Sequence, residues 1–299
     1  MPETKPMTTV ARIEQAPNLE MRFPPLPRTV TDVSTLLAQR TDIPDTPGLI
    51  EIVNADPVMA AFVLRRINSA YFGVRRHISD VRKAVFLLGF MEVCNIVLTA
   101  AMLKLKDVVR NEAQEKIFEA TMKLSVGTAY YAQEISTMLN LSMKETAFTA
   151  GLLHGSGRLA LLFNRPKEYE MLWFSTKNEL FPNPDSERLL FGYDHAQLGA
   201  MAAEHWHLPE EVIQVIRYYL TPGHLKDMNL RMIALTIAIS ASATEQLCMT
   251  ENNDKLKFEA KTALRILARS LNVPSDQIIE VIAEKRDEVT DYINSMVVQ

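Results

Sequence analysis

The sequence predicts an all-α fold. Apolar residues recur with the 3.6-residue period of a helix, as in Ile278, Ile282, Val289 and Ile293, while sustained period-two alternation and Asn-Gly or Asp-Gly hairpin turns do not occur. Helix-start signals are frequent and the segments between them are short. We therefore expect a multi-helix bundle with an N-terminal helical subregion and C-terminal packing helices.

The N-terminal third contains clear capping signals. Residues 1–22 read as a polar lead, and FPPLP (23–27) requires extended backbone because proline excludes the residue before it from the α region. Thr46-Pro47 and Asp56-Pro57 each place an N-cap residue before a proline. The predicted helices are 31–39, 47–54, 57–68, one from Ser79 or Asp80 to Gly89, and 91–106.

The remaining two thirds read as longer helices. Asp194 and Gln197 have the spacing of a capping box, and Pro209 precedes two glutamates that suit a helix N-terminus. PNPDS (182–186) reads as a break and ENNDK (251–255) as a loop. The predicted helices are 111–139, 143–163, 167–180, 194–206, one from 209, 230–248, 256–271, and a single final helix from Ser275.

Composition narrows the class of protein. The chain is 47% hydrophobic and 23% charged, which is typical of a globular protein. A net charge of −4 argues against a protein built mainly to bind nucleic acid. Cys94 and Cys248 lie in separate apolar segments, which favours buried thiols in a reducing compartment. No secretory signal is visible and the apolar stretch 232–243 is too short for a membrane span, so we expect a cytoplasmic protein.

Five segments, in order, resemble the HDOD domain, a bacterial relative of the HD metal-dependent phosphohydrolases. They are LPRTVTDVSTLL, DPVMAAFVLRRINSAYFG, ISDVRKAVFLLG, GLLHGSGRLAL and FGYDHAQLGAMAAEHWHLPEEVIQVI. The resemblance implies an HDOD domain over 23–250, divided into an N-terminal helical subregion (23–110) and a degenerate HD-like bundle (111–250), with C-terminal helices over 255–299. It also implies a signalling or output module.

The same resemblance implies that the metal-binding motif is degenerate. Where HD enzymes carry a His-Asp pair, this chain has His154 and Gly155, and glycine supplies no ligand. His195 matches a retained histidine, but Tyr218 and Tyr219 stand where relatives show paired histidines, and Ser242 is the nearest match to a late aspartate. A hydrolytic metal needs about three protein ligands and an open position. We therefore predict no metal and no cofactor, with His154 as a hydrogen-bonded core histidine.

Three glycines around His154 need a structural reason, because each costs a helix about 1 kcal/mol relative to alanine. They are Gly151, Gly155 and Gly157. We expect a neighbouring helix to approach closely at these positions. A former metal pocket closed by packing would give the same pattern.

A basic cluster stands out in this acidic chain. It contains Arg65, Arg66, Arg75, Arg76, His77, Arg82 and Lys83, with Asn68, Tyr71 and Phe72 between them. It is either an interaction surface for an acidic protein, a nucleotide messenger or a nucleic acid, or a solvated rim whose arginine stems cover apolar surface. The second interpretation is favoured, with the two aromatic rings anchoring the loop.

Other catalytic motifs are not found: the chain has no GxSxG elbow, no GxxxxGK[ST] loop and no GxGxxG loop. The leading hypothesis is a non-catalytic signal-transduction module that acts through a signalling protein partner. The alternatives are a metal-dependent phosphohydrolase and a regulator that binds an anion, a nucleotide messenger or nucleic acid through the basic cluster. The final helix either packs on its own chain or joins two copies in a homodimer.

Overall fold

The predicted all-α fold is confirmed by the structure, a computed structural model that describes residues 21–25, 27–38, 44–69, 72–74, 77–176, 179–249 and 256–297. Within these ranges every regular element is a helix. A single hydrophobic core extends from Val30 in the first helix to Met296 in the last. The predicted loop 251–255 and most of the predicted polar lead lie outside the described residues.

The first five helices follow the capping signals closely. Asp56 accepts hydrogen bonds from the backbone N–H groups of Val58 and Met59, as predicted. The cap of the preceding helix is Asp45 rather than Thr46, because Thr46 already has helical backbone. The helices are α1 (Arg28–Ala38), α2 (Thr46–Ala55), α3 (Pro57–Ile67), α4 (Val81–Leu88) and α5 (Phe90–Lys104), the last continued by a 3₁₀ turn, Leu105–Val108.

The 27-residue helix α6 (Glu112–Met138) is the central helix of the bundle. The prediction of one helix over 143–163 is wrong, because the chain forms α7 (Lys144–Leu153) and α8 (Ser156–Asn164) with a turn at His154 and Gly155. In that turn the Ser156 hydroxyl donates to the Leu153 carbonyl. The change of direction allows α7 to pack on α6 while α8 packs on a later helix.

The next five helices complete the bundle. The capping box at Asp194 and Gln197 is confirmed. The segment 182–186 is more than a break: Asn183 caps a helix that begins at Pro184, a cap–proline–acid order that the sequence already shows. The helices are α9 (Pro166–Ser175), α10 (Pro184–Phe191), α11 (His195–His205), α12 (Glu210–Tyr218) and α13 (Met228–Cys248), with a 3₁₀ turn at Pro222–His224.

The C-terminal region contains α14 (Phe258–Leu271), α15 (Ser275–Glu284) and α16 (Arg286–Val297). The prediction of one continuous final helix is wrong, since the chain breaks at Lys285. The break allows both α15 and α16 to pack against α6, and Lys285 forms ion pairs with Glu134 of α6 and with Glu288. The predicted apolar stripe holds within α16, where Val289, Ile293 and Met296 are buried.

Both cysteines are free thiols. Cys94 is buried, as predicted, and burial raises the pKa of its thiol to about 12. Cys248 is half-buried, and desolvation raises the pKa of its thiol to about 11. None of the helices in the described ranges is, by itself, both long and apolar enough to cross a bilayer.

The crossing of α8 and α11 depends on Gly157. A Cβ atom at this position would lie 1.9 Å from the carbonyl oxygen of His195 and 2.7 Å from the amide nitrogen of Gly199. Both obstacles are backbone atoms, so the two helices would have to separate. Gly151 makes a similar approach to α6, where its Cβ would lie 2.7 Å from the Cα of Ala129. The predicted close helix contacts at these glycines are therefore confirmed.

We predict that Gly157→Ala destabilises the protein by about 3 kcal/mol or more, because the added methyl group meets backbone that cannot move locally. The free energy of unfolding in urea measures this loss. Gly223→Ala is the matched control, since nothing lies within 4 Å of a Cβ at Gly223, and its effect should stay within about 0.5 kcal/mol. Equal stabilities of the two variants would contradict the packing argument.

Candidate functional site

Three residues that the sequence singles out meet in the interior of the bundle. His154 lies in the turn between α7 and α8, His195 opens α11, and Tyr219 follows the last residue of α12. All three are buried. The Tyr219 ring contacts both imidazoles, with centroid distances of 5.6 Å to His154 and 6.0 Å to His195.

His154 is a neutral core histidine held by its own helix end. Its Nδ1 donates to the carbonyl oxygen of Gly151 at 2.5 Å, which leaves the lone pair on Nε2. That Nε2 atom is buried and has no hydrogen-bond partner among the described residues. Burial, and the positive charge of nearby Arg158, lower the pKa of His154 to about 3. Its predicted hydrogen bond to a neighbour is therefore present.

His195 is oriented by a carboxylate that the sequence argument missed. Glu187 of α10 accepts from both the backbone N–H and the Nδ1 of His195, at 2.8 Å and 2.5 Å. The other nitrogen, Nε2, lies 2.5 Å from the hydroxyl oxygen of Tyr219. A carboxylate on one imidazole nitrogen is how proteins orient a metal-ligating histidine. Here the opposite nitrogen faces a phenol.

A buried guanidinium adds positive charge to this cluster. Arg158 lies on α8, one turn beyond His154, and is almost fully buried over the ring of Phe181 at 4.7 Å. Burial alone would raise the pKa of Glu187, but His195 and then Arg158 hold it below its usual range. Tyr169 of α9 also faces this region, and its burial raises its pKa well above the usual value. Glu187 is therefore an anion stabilised by hydrogen bonds from His195 and by the charge of Arg158.

The residues present do not fit an HD-type metal. A Cβ at Gly155 would lie 2.5 Å from Ser125 Oγ and 3.0 Å from Thr121 Cγ2, so an aspartate there would require these two side chains of α6 to shift. Of the two histidines, only His154 has an imidazole nitrogen, Nε2, without a hydrogen-bond partner among the described residues. The Nε2 atom of His195 contacts the Tyr219 hydroxyl. No three His, Cys, Asp or Glu side chains in the described part of the chain are grouped to hold an ion.

Two of the sequence-predicted positions lie outside the cluster. Tyr218 is half-buried and stacks on His224, at a centroid distance of 5.9 Å. Ser242 accepts a hydrogen bond from the backbone N–H of Lys257 at 3.0 Å, so it anchors the start of α14. Their interpretation as former metal positions, together with His154 and His195, stays a prediction.

The basic cluster separates into core residues and surface residues. Arg66 is buried, with its guanidinium 4.9 Å from the ring centres of both Phe72 and Tyr292. Asn68 binds the backbone N–H and carbonyl of Ile78, at 2.8 Å and 2.7 Å, and so fixes the loop between α3 and α4. The assignment of Arg66 to an interaction surface is wrong because its side chain is buried, whereas Asn68 and Phe72 are half-buried and their assignment stays a prediction.

The surface part of the cluster lies on α3 and α4. Arg65 is exposed, with its guanidinium over the ring of Phe62 at 5.1 Å. Arg82 and Lys83 are exposed on the outer side of α4. Next to them, Phe86 is 88% exposed and Leu87 is 59% exposed. Tyr71, Arg75 and Arg76 lie outside the described residues.

Three members of the buried cluster are not predicted from the sequence: Arg158, Tyr169 and Glu187. A signal existed for Arg158, which is the only charged residue in the apolar stretch from Ala147 to Phe163. The role of Glu187 is not evident from the sequence, because the pattern at 182–186 predicts only a break and does not predict helix α10. No local pattern marks Tyr169, because its role depends on the packing of α9 against α8.

The profile of the HDOD domain family matches residues 23–222. The chain belongs to the HDOD domain family. The match begins where the notable FPPLP segment begins and ends just after α12, so it includes His154, His195 and Tyr219. The predicted domain extended to residue 250.

Solved structures share the fold. An HDOD domain protein of unknown function from Geobacter sulfurreducens is 21% identical with a TM-score of 0.72, covering 93% of this chain and 94% of that one. A candidate signal transduction protein from Marinobacter aquaeolei VT8 is 22% identical with a TM-score of 0.71, covering 95% and 62%. A candidate phosphohydrolase from Shewanella amazonensis SB2B is 20% identical with a TM-score of 0.65, covering 91% and 94%.

A curated relative from Treponema pallidum (strain Nichols) is 22% identical over 223 residues, and it is described as an uncharacterized protein. The aligned region is 74% of this chain but only 41% of that protein. The chain therefore spans about two fifths of the length of this relative.

We predict that His154 makes the protein less stable in mild acid. The pKa of His154 is about 3 in the folded protein and about 6.5 in the unfolded chain. As the pH falls, this histidine therefore becomes protonated in the unfolded chain before it does in the folded protein. The stability it contributes is present above pH 6.5 and is lost as the pH falls toward 3, by up to about 1.4 kcal/mol per pH unit.

The measurement is the free energy of unfolding in urea between pH 6.5 and 5, for the wild type and for His154→Asn, which retains an amide donor for Gly151. The wild-type curve should fall more steeply by the stated slope. Glu92, whose pKa burial raises to about 7, titrates in both proteins and cancels from the difference. Parallel curves would contradict a buried neutral His154.

Proposed function

We propose that this HDOD protein is a non-catalytic signal-transduction module that acts by binding another protein. The proposal rests on the contact between the hydroxyl group of Tyr219 and the Nε2 atom of His195, which lie 2.5 Å apart. This nitrogen, oriented by Glu187 from the far side, is the one that would bind a metal. A phenol whose pKa is raised by burial is a hydrogen-bond donor here and a poor metal ligand.

The rival function is metal-dependent phosphoester hydrolysis. It requires an ion that activates water and an open coordination position. Gly155 supplies no ligand, α6 fills the adjacent space, and the positive charge near Glu187 comes from Arg158. These features support a bundle in which protein groups have taken over the space and the charge of an ion. One solved structure of similar fold is described as a signal transduction protein and another as a phosphohydrolase, so the proposal rests on the local chemistry of this chain.

The contact surface that we propose is the outer side of α4. Arg82 and Phe86 are four residues apart, as are Lys83 and Leu87, so each cation lies beside an exposed apolar side chain. Residues 57–91 contain six arginines and lysines and one aspartate, in a chain with a net charge of −4. This surface suits an acidic protein with an apolar patch, because opposite charges guide the encounter and apolar contact supplies affinity.

We predict that the purified protein retains no stoichiometric Mn, Fe or Zn and does not hydrolyse bis(p-nitrophenyl) phosphate in the presence of Mn²⁺. Two isolated imidazoles cannot replace the three or more ligands of a catalytic site. Elemental analysis and the release of nitrophenol measure these outcomes. Manganese-dependent turnover that is lost in His154→Ala would establish the rival enzyme function.

We predict that a photo-crosslinking amino acid at position 86 captures a partner protein in cells that produce this chain. Reversing the local charge with Arg82→Glu and Lys83→Glu should reduce capture by about tenfold or more, because steering and pairing with an acidic surface both fail. Mass spectrometry of the crosslinked product identifies the partner.

Two matched controls accompany this experiment. Lys167→Glu and Lys226→Glu make the same charge change on other exposed positions, and they should leave capture at position 86 unchanged. A crosslinker at Phe174, which is also exposed, should not give the same product. Capture that persists after charge reversal on α4, or a crosslink to nucleic acid, would refute the proposed surface.

A further inference from the structure

The outer faces of α14 and α15 carry opposite charges. On α14, Lys261, Arg265 and Arg269 are exposed and follow one another at intervals of four residues. Four residues advance a helix by about 6 Å and return to nearly the same side. The three cations therefore form one row along the helix.

An apolar row runs beside these cations. Phe258 and Ile266 are 75% and 45% exposed, and the exposed Thr262 lies between them at the same four-residue interval. The opposite side of α14 is buried in the core through Ala263, Leu264 and Leu267. The helix is thus anchored by one face and presents a basic and apolar face to solvent.

Helix α15 has the complementary arrangement. Asp276, Glu280 and Glu284 are exposed at the same four-residue interval, so they form an acidic row. Ile279, which is 45% exposed, lies beside this row, while Ile278 is buried. The two helices contact each other. Three residues connect them, and the first of these, Asn272, adopts a left-handed backbone conformation with φ of 53°.

The two charged rows do not neutralise each other within the chain. In the part of the chain that the structure describes, none of these six side chains belongs to an ion pair. The cations on this face and the anions next to it both remain directed to solvent. The exposed sides of these two consecutive helices therefore carry opposite charges, each with an exposed apolar residue.

We propose that a second copy of this chain docks on the α14–α15 face. In a twofold interface, each of the two subunits contributes the same surface to the contact. The basic α14 of one copy then faces the acidic α15 of the other, and the reverse contact forms by symmetry. Phe258, Ile266 and Ile279 become buried between them.

The charge pattern favours a second copy over other occupants. A nucleic acid or an anionic membrane would be attracted by α14 but repelled by the adjacent acidic row of α15. A self-complementary contact uses both rows. Individual exposed ion pairs stabilise weakly, so the apolar residues supply affinity and the charges select the orientation.

The test is sedimentation velocity of the full chain over a range of concentrations. The wild type should dimerise, and Arg265→Glu with Arg269→Glu should raise the dimer dissociation constant by about tenfold or more, because acid then faces acid. Glu280→Lys with Glu284→Lys should have the same effect. An equimolar mixture of the two variants should form a heterodimer, since both contacts again pair opposite charges.

Two outcomes would overturn the proposal. One is a wild-type monomer at about 100 μM, well above the micromolar constants at the weak end of specific interfaces. The other is a dimer that both variants retain, or that the mixture does not restore. Arg82→Glu with Lys83→Glu is the matched control and should still dimerise. The inference is independent of the proposed function, because failure here leaves partner capture at α4 unaffected.

Discussion

The architecture of the candidate site depends on the close approach of α6, α8 and α11 at glycine positions. At Gly155 a methyl group would already meet Ser125 and Thr121 of α6, and at Gly157 it would meet the backbone of α11. Well-packed interiors cannot open locally to admit a larger group. A carboxylate beside His154 would therefore require Ser125 and Thr121 to change position.

Charge balance within the bundle follows from this packing. Glu187 is fully buried and would be unstable as an anion without a cation nearby. An ion would supply that charge in a metal site, whereas here Arg158 supplies positive charge and His195 donates hydrogen bonds to the carboxylate. Tyr219 closes the arrangement by occupying Nε2 of His195. The result is a buried polar cluster in which Glu187 and Tyr219 together orient His195.

The proposed contact surface lies outside this interior cluster. Arg66, which is buried, contacts the ring of Tyr292 and so links α3 to α16. Arg82 and Phe86 remain outside on α4. A cluster of cations close in sequence thus combines a buried structural arginine with exposed cations, and burial distinguishes the two.

Local sequence determined the helical class and most helix boundaries, because capping and periodicity act over a few residues. Gly155 excludes a ligand by its chemistry alone. Tertiary structure decided the rest: the turn at His154, the break at Lys285, and the meeting of Glu187 with His195. These features depend on contacts between helices that are distant in sequence. Neither periodicity nor spacing carries that information, because packing partners are chosen by the whole core.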